Sequence, residues 1–90
     1  MTKDELRQYI KEGHDIEWKY HDKWFSIIPK AKDDNGKRCI SFCEFYQEPI
    51  DVYTFEELIN INYNGVTVME MLESLGDEED AEKRGDLVIY

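Results

Sequence analysis

The sequence predicts a single α+β domain in which an antiparallel meander sheet of three to four strands packs mainly one face against three short helices. Three observations lead to this fold class. Three amphipathic segments each begin with a threonine that is followed three residues later by a glutamate. Between the first two segments the apolar period changes to two, and turn residues separate the apolar runs. The chain has 90 residues, of which 41% are hydrophobic, so it can form one small core.

The first helix is predicted at about residues 3 to 12. Thr2 is placed to be its N-cap, and Glu5 at the third helical position completes a capping box. Gly13 is expected to end the helix, because glycine adopts the left-handed conformation without a steric penalty.

Two hairpins are expected next. A two-residue turn at His21-Asp22 would place Trp18 opposite Phe25 and Ile16 opposite Ile27, with all four side chains on one face. The Asn35-Gly36 pair then predicts a second tight turn. That turn would pair Asp34 with Lys37 and Asp33 with Arg38.

Either of the two faces of the third strand could point toward the core, depending on its register. Pro29 lacks the N–H group that a central strand needs, so we expect a bulge near it. An unbroken register would place Ile27 opposite Glu44, whereas one extra residue would bring Cys43 or Phe45 to the core face. The pattern leaves the parity of this strand open.

Two further capping boxes, Thr54 with Glu57 and Thr67 with Glu70, predict two more helices. These helices are expected at about residues 55 to 60 and 67 to 75. The repeated threonine-glutamate spacing is therefore interpreted as a helix-start signal and not as a catalytic motif.

The predicted domain comprises residues 1–76, and the rest of the chain is divided in two. Residues 77–84, DEEDAEKR, have only Ala81 as an apolar member and are expected to be an exposed acidic linker. Residues 85–90, GDLVIY, are expected to form a C-terminal strand or a tail.

The formal net charge is -10, and the excess of acid lies in the second half of the chain. Residues 1–43 contain nine Lys or Arg and eight Asp or Glu, whereas residues 44–90 contain two and thirteen. Such a surface repels nucleic acids and anionic membranes but attracts a basic protein. With no apolar leader or membrane-spanning segment in the sequence, we expect a cytoplasmic protein.

The residues that could carry metal or catalytic chemistry do not form a recognisable motif. Cys39 and Cys43 lie four residues apart in a predicted strand, too far for a disulfide, and their spacing with His14 and His21 fits no zinc site. No serine adjoins a histidine or a glycine elbow, and no glycine-rich phosphate loop is present. We therefore expect no cofactor, no metal and no enzymatic activity.

Two groups of residues are candidates for an interaction surface. If Trp18 faces the helices, alternation turns Trp24 and Ile28 to the opposite face of the sheet. That face is either covered by the C-terminal LVIY segment or the 46–52 connection, or it binds a partner. The second group is the densest acidic run, formed by Asp77, Glu78, Glu79 and Asp80.

Two classes of function compete on these grounds. The first is a non-catalytic acidic protein-interaction module, a regulator or inhibitor that binds a basic protein partner. The alternative is a small ligand-binding domain or enzyme that uses the open sheet face near Trp24. The sequence does not predict the identity of the partner or the oligomeric state.

The segments IEWKYHDKWFSI, CEFYQEPIDVYTFEELIN and NGVTVMEML resemble small uncharacterised cytosolic α+β proteins of Gram-positive bacteria and their mobile elements. The resemblance covers roughly residues 16–75. Those proteins tend to carry Asn-Gly at the first hairpin turn, where this chain has His21-Asp22. The resemblance implies an α+β fold and no particular activity.

Overall fold

The computed structural model describes residues 1–90 and has an α+β architecture. In chain order the elements are α1 (Lys3–Glu12), β1 (Ile16–Tyr20), β2 (Lys23–Lys32), β3 (Arg38–Glu44), β4 (Ile50–Val52), α2 (Phe55–Ile59), β5 (Asn62–Tyr63), β6 (Val66–Thr67), α3 (Val68–Glu73), α4 (Glu78–Arg84) and β7 (Leu87–Ile89). None of the four helices is both long and apolar enough to cross a membrane.

Five strands form the main sheet in the order β4-β3-β2-β1-β7, and every neighbouring pair is antiparallel. The first four strands are a meander, and β7 returns to pair with β1. Strands β5 and β6 form a separate two-stranded ribbon. The α+β class and the antiparallel meander are confirmed, whereas the predicted three to four strands and three helices are too few. The C-terminal segment is a strand.

The first hairpin has the predicted register. Trp18 pairs with Phe25 and Ile16 with Ile27. His21 and Asp22 both have positive φ, 49° and 63°, which is the backbone that a two-residue type I′ turn requires. This turn follows the right-handed twist of the strands, so the hairpin forms without Asn-Gly at its tip.

The second hairpin has a longer turn than predicted. The Asp33 N–H donates to the Lys37 carbonyl at 2.8 Å, and Lys32, not Asp33, pairs with Arg38. The Asp33 carboxylate accepts hydrogen bonds from the backbone N–H groups of Asn35 and Lys37, both at 2.9 Å. These bonds hold an extra residue in the loop and shift the strand register by one.

A bulge between Ile28 and Ala31 shifts the register by one more residue, at the place where Pro29 predicts it. Two shifts of one residue restore the original parity of β3. Phe42 therefore lies opposite Ile27, which decides the parity that the sequence leaves open: Phe42, and not Cys43 or Phe45, faces the core. Phe42 is fully buried, in keeping with its place at the centre of the core.

All four helices and the ribbon contribute to one core on one face of the main sheet. Trp18 stacks on Phe25 and Phe42 with ring centroids 5.7 and 6.0 Å apart, and the three rings form its centre. Buried apolar residues from each helix join the same cluster: Leu6, Leu58, Ile59, Val68, Met69, Met71, Leu72 and Ala81. The opposite face of the sheet, which carries Trp24, has no helix over it.

The predicted helix starts are correct, and two of the three capping boxes are complete. At Thr2 and Thr67 the hydroxyl accepts from the backbone of the glutamate, and the glutamate carboxylate accepts from the threonine N–H. At Thr54 the hydroxyl accepts from Glu57 N–H, but the Glu57 carboxylate accepts from Tyr53 N–H. The third box is therefore incomplete, although the N-cap bond is present.

The expectation that residues 77–84 form an exposed linker is wrong, because Glu78–Arg84 is helix α4. Asp77 is its N-cap, and its carboxylate accepts from Asp80 N–H at 3.1 Å. Gly85 ends the helix in the left-handed conformation with φ of 80°. Ala81 is completely buried, so its methyl group anchors the helix on the core.

Candidate functional site

The face of the main sheet that points away from the helices carries an aromatic patch. Trp24 lies opposite Lys19 in β1 and is half-buried against Phe45, with ring centroids 6.2 Å apart. Tyr46 and Val88 line the same shallow groove, which has a volume of about 500 Å³. We call Trp24, Ile28, Phe45, Tyr46 and Val88 the outer face.

Tyr46 is the most exposed aromatic of the outer face, with a relative exposure of 99%. The Gln47 N–H donates to the Glu44 carbonyl at 3.0 Å, so Phe45 and Tyr46 are the two central residues of a β-turn. Tyr46 has a φ of 70°, in the left-handed region that glycine or asparagine usually occupies at this position. A bulky aromatic is therefore held in a strained turn and contributes almost nothing to the core.

The predicted Ile28 lies on this face and is 41% exposed, opposite Ser41 in β3. Of the two segments that could have covered Trp24, the 46–52 connection begins beside it without lying over it, and Val88 of the LVIY segment only lines one side of the groove. Three acidic residues, Glu17, Asp22 and Glu44, and one basic residue, Lys23, also border the groove. The outer face is thus an open apolar surface with an acidic edge.

The predicted acidic run lies at the start of α4. Asp77 is the N-cap, and Glu78, Glu79 and Asp80 form the first helical turn, where carboxylates interact favourably with the helix dipole. Glu5 and Glu82 lie next to them. We call Glu5, Asp77, Glu78, Glu79 and Glu82, which line one shallow depression, the acidic cluster.

The carboxylates of the acidic cluster differ in their environment. Burial raises the pKa of Glu78, nearby Glu5 and Glu82 raise it further, and a hydrogen bond from the Tyr9 hydroxyl opposes the rise. The Thr2 backbone N–H lowers the pKa of Glu5 by donating to its carboxylate. Proton uptake on acidification is therefore expected at Glu78 before Glu5.

The structure places the two predicted groups on separate surfaces. Trp24 and Ile28 lie on the outer face, whereas α4 packs its Ala81 into the core on the other side of the sheet. The helix holds the four acidic residues in fixed positions, which a linker would not. The acidic cluster therefore cannot share one small contact with the groove, but its field can act on a partner at longer range.

The two cysteines are not joined in a disulfide and differ in their exposure. Cys39 is buried and Cys43 is half-buried, and both are free. Burial raises the pKa of the Cys39 thiol, which disfavours the reactive thiolate. No group of three or more His, Cys, Asp or Glu side chains has an arrangement that could hold a metal ion.

Phe45, Tyr46 and Val88 belong to the groove, although the sequence pattern did not single them out as site residues. A usable signal was present in the segment CEFYQEP, where two adjacent aromatics fall between the end of a strand and a proline. Adjacent side chains at the end of a strand cannot both enter one core, so one of them is expected to face solvent. Val88 carried no such signal, because its place depends on the pairing of β7 with β1.

No protein-family model, curated protein or solved structure matches this chain. The resemblance of residues 16–75 to small proteins of Gram-positive bacteria therefore stays a prediction.

Proposed function

We propose that this protein is a non-catalytic, acidic interaction module of the cytoplasm that binds a basic protein partner as a regulator or inhibitor. The outer face is the contact surface in this proposal. The acidic cluster steers the partner toward the protein by long-range attraction.

The observation that carries the proposal is the strained and exposed Tyr46 beside Trp24 and Phe45. Backbone strain is concentrated at functional sites, and tyrosine and tryptophan are the residues most often found at binding hot spots. A tyrosine in this turn does not stabilise the core, so binding gives a physical reason for its presence.

The charge of the partner is inferred from two features. Glu17 and Asp22 border the groove, and the whole chain has a net charge of -10. A partner with lysine or arginine around an apolar anchor would complement this surface, whereas nucleic acids and anionic membranes would be repelled.

The test compares affinity capture from the native host by the wild-type protein and by two variants. Trp24→Ala removes an anchor from the outer face, and we expect it to abolish capture of the basic partner. Glu79→Gln with Asp80→Asn removes two exposed charges of the α4 turn, while the Asp77 cap and the Tyr9-Glu78 bond are kept. This second variant should bind more weakly, and most clearly at low salt.

The matched control is Glu12→Gln with Glu73→Gln, which changes the net charge equally at exposed positions outside the acidic cluster and away from Tyr46. It should retain more binding than the α4 variant. Capture that is unaffected by Trp24→Ala and by salt would refute the proposal.

The groove beside Trp24 also supports a second candidate, a small ligand-binding domain. Its volume of about 500 Å³ falls within the usual range for ligand sites, although it is shallow. Native mass spectrometry separates the two candidates. A small molecule that stays bound to the wild type through purification and is lost in Trp24→Ala would favour ligand binding.

A further inference from the structure

A second cleft, which shares only Lys23 with the groove beside Trp24, lies on the helix side of the sheet. It is enclosed by two turns, the one between β1 and β2 and the one between β5 and β6, and has a volume of about 490 Å³. This volume is sufficient for a small organic ligand. The cleft brings together residues that are more than forty positions apart in the chain, so no local sequence pattern indicates it.

The walls of this cleft are largely aromatic. Tyr20 and His21 stack with centroids 4.1 Å apart and planes 11° apart, so they form a two-ring stack on the first turn whose outer face can meet a guest. Tyr63 stands on the opposite side and packs edge-on against Phe25 at 5.7 Å. Met71 also lines the cleft. Met71 is fully buried, so the aromatic rings are the part of the wall that favours a planar, apolar guest.

The charged groups of the cleft lie near Lys23, and the Glu44 carboxylate, just outside the lining, accepts a hydrogen bond from the Tyr63 hydroxyl at 2.9 Å. The lining of the cleft contains Lys23 and His21 but no carboxylate, in a chain that has 21 acidic and 11 basic residues. The Lys23 ammonium lies 4.0 Å from the nearest Glu44 oxygen, at the outer limit of an ion pair, and its side chain is 58% exposed. Lys23 can therefore turn to an anion at the mouth of the cleft.

The rim opposite Lys23 has room for a ligand. Asn64 and Gly65 form the tip of the β5-β6 turn, with φ of 54° and 90°. A side chain added at Gly65 would meet nothing within 4 Å, so the tip does not crowd the opening. The Asn64 side chain offers both a donor and an acceptor there.

We propose that this cleft binds a small planar aromatic molecule with an anionic substituent such as a carboxylate. The ring lies between the Tyr20-His21 stack and Tyr63, and the anion pairs with Lys23. The cleft shares only Lys23 with the groove beside Trp24, and its aromatic walls lie on the helix side of the sheet, so this proposal does not depend on the proposed function.

The test is a titration of isotope-labelled protein with four probes. Binding is monitored through the chemical shifts of the backbone amides. Naphthylacetate has the planar ring and the anion, naphthylmethanol lacks the charge, naphthylmethylammonium reverses it, and cyclohexylacetate lacks the planar ring. Naphthylacetate should bind with a dissociation constant on the order of 1 mM and shift the amides of His21, Asn64 and Gly65. The other three probes should bind at least about fivefold more weakly.

Two variants and one control assign the site. Lys23→Gln alters an exposed residue and should keep the fold. An unchanged pattern of amide shifts in the free variant verifies that the fold is kept. Lys23→Gln should weaken naphthylacetate about fivefold without changing naphthylmethanol. Val66→Trp should fill the cleft and abolish binding, whereas Trp24→Ala should leave binding unchanged.

Any of the following results would overturn the proposal. The first is equal affinity for the three naphthyl probes. The second is a set of shifts centred on Trp24 and Tyr46 instead of Asn64 and Gly65. The third is full naphthylacetate affinity in Lys23→Gln, or no saturable shift up to about 10 mM.

Discussion

The Tyr63 hydroxyl donates a 2.9 Å hydrogen bond to Oε1 of Glu44 and so joins the two-stranded ribbon to the end of β3. The bond connects residues from two separate sheets, and both side chains are half-buried. A half-buried hydrogen bond to a charged acceptor contributes more to stability than an exposed one, because its loss leaves a carboxylate poorly solvated.

We expect Tyr63→Phe to lower the free energy of unfolding by about 1.5 kcal/mol, because it removes this donor and leaves the Glu44 carboxylate without it. Urea denaturation gives the measurement. Glu44→Gln is the control, since its amide oxygen still accepts a hydrogen bond from Tyr63. It should lower the free energy of unfolding by less than Tyr63→Phe does. Equal urea midpoints for Tyr63→Phe and the wild type would show that the bond makes no net contribution to stability.

The contribution of the N-cap of α3 to stability should be measurable by urea denaturation as well. Thr67→Ala removes the acceptor for the Glu70 N–H, which lies 3.1 Å from the hydroxyl, and should cost about 1 kcal/mol. Thr67→Ser keeps the hydroxyl and should remain near the wild type. A loss in Thr67→Ser as large as that in Thr67→Ala would assign the effect to packing of the threonine methyl group instead.

The strain at Tyr46 is tested by two substitutions that remove the same ring. Tyr46→Ala keeps a Cβ in the left-handed region, whereas Tyr46→Gly relieves the steric conflict. Tyr46→Gly should therefore be more stable than Tyr46→Ala by about 1 kcal/mol in thermal or urea unfolding. Both variants should lose binding of the basic partner. Equal stabilities would mean that the turn is not strained.

The packing of α4 predicts a large effect at Ala81, which is fully buried in the core. Ala81→Asp places an unpaired charge there and should lower the free energy of unfolding by about 3 kcal/mol or more. The control Glu79→Asp changes an exposed residue of the same helix and should have little effect. If Ala81→Asp is as stable as the control, helix α4 does not pack on the core in solution.

Stability should fall at alkaline pH because four tyrosines have raised pKa values: Tyr9, Tyr53, Tyr63 and Tyr90. A hydrogen bond to a carboxylate raises the pKa of Tyr9 and of Tyr53 to about 12, and burial is the main cause at Tyr63. The folded state then holds its protons after the unfolded chain releases them near the ordinary tyrosine pKa of about 10. The stabilisation is complete below that pH and is lost as the pH rises through the folded pKa values.

Urea midpoints measured at pH values between about 8 and about 12 should therefore decrease steadily above about 10. Tyr9→Phe should flatten part of this decrease, because it removes one of the shifted groups. Midpoints that stay constant through this range in the wild type would contradict the expectation.

The sequence alone determined the features that depend on neighbouring residues. The starts of α1, α2 and α3 follow from a threonine and a glutamate three residues apart, and the first hairpin register follows from one short turn between alternating apolar residues. Pro29 located the bulge in the same way. Each of these signals acts between residues that are a few positions apart. The local sequence therefore contains the physical cause of the feature.

Tertiary structure decided the features that depend on distant partners. The face of β3 depends on the sum of a loop shift and a bulge shift, and neither one fixes the parity without the other. Helix α4 had its local signals, the Asp77 cap and Gly85, but its only buried side chain is the Ala81 methyl group, whose partners lie far away in the chain. The same holds for the candidate sites, because the pairing of the strands brings Tyr46, Trp24 and Val88 to one groove. The packing of the ribbon on the sheet brings Tyr63 and His21 to one cleft.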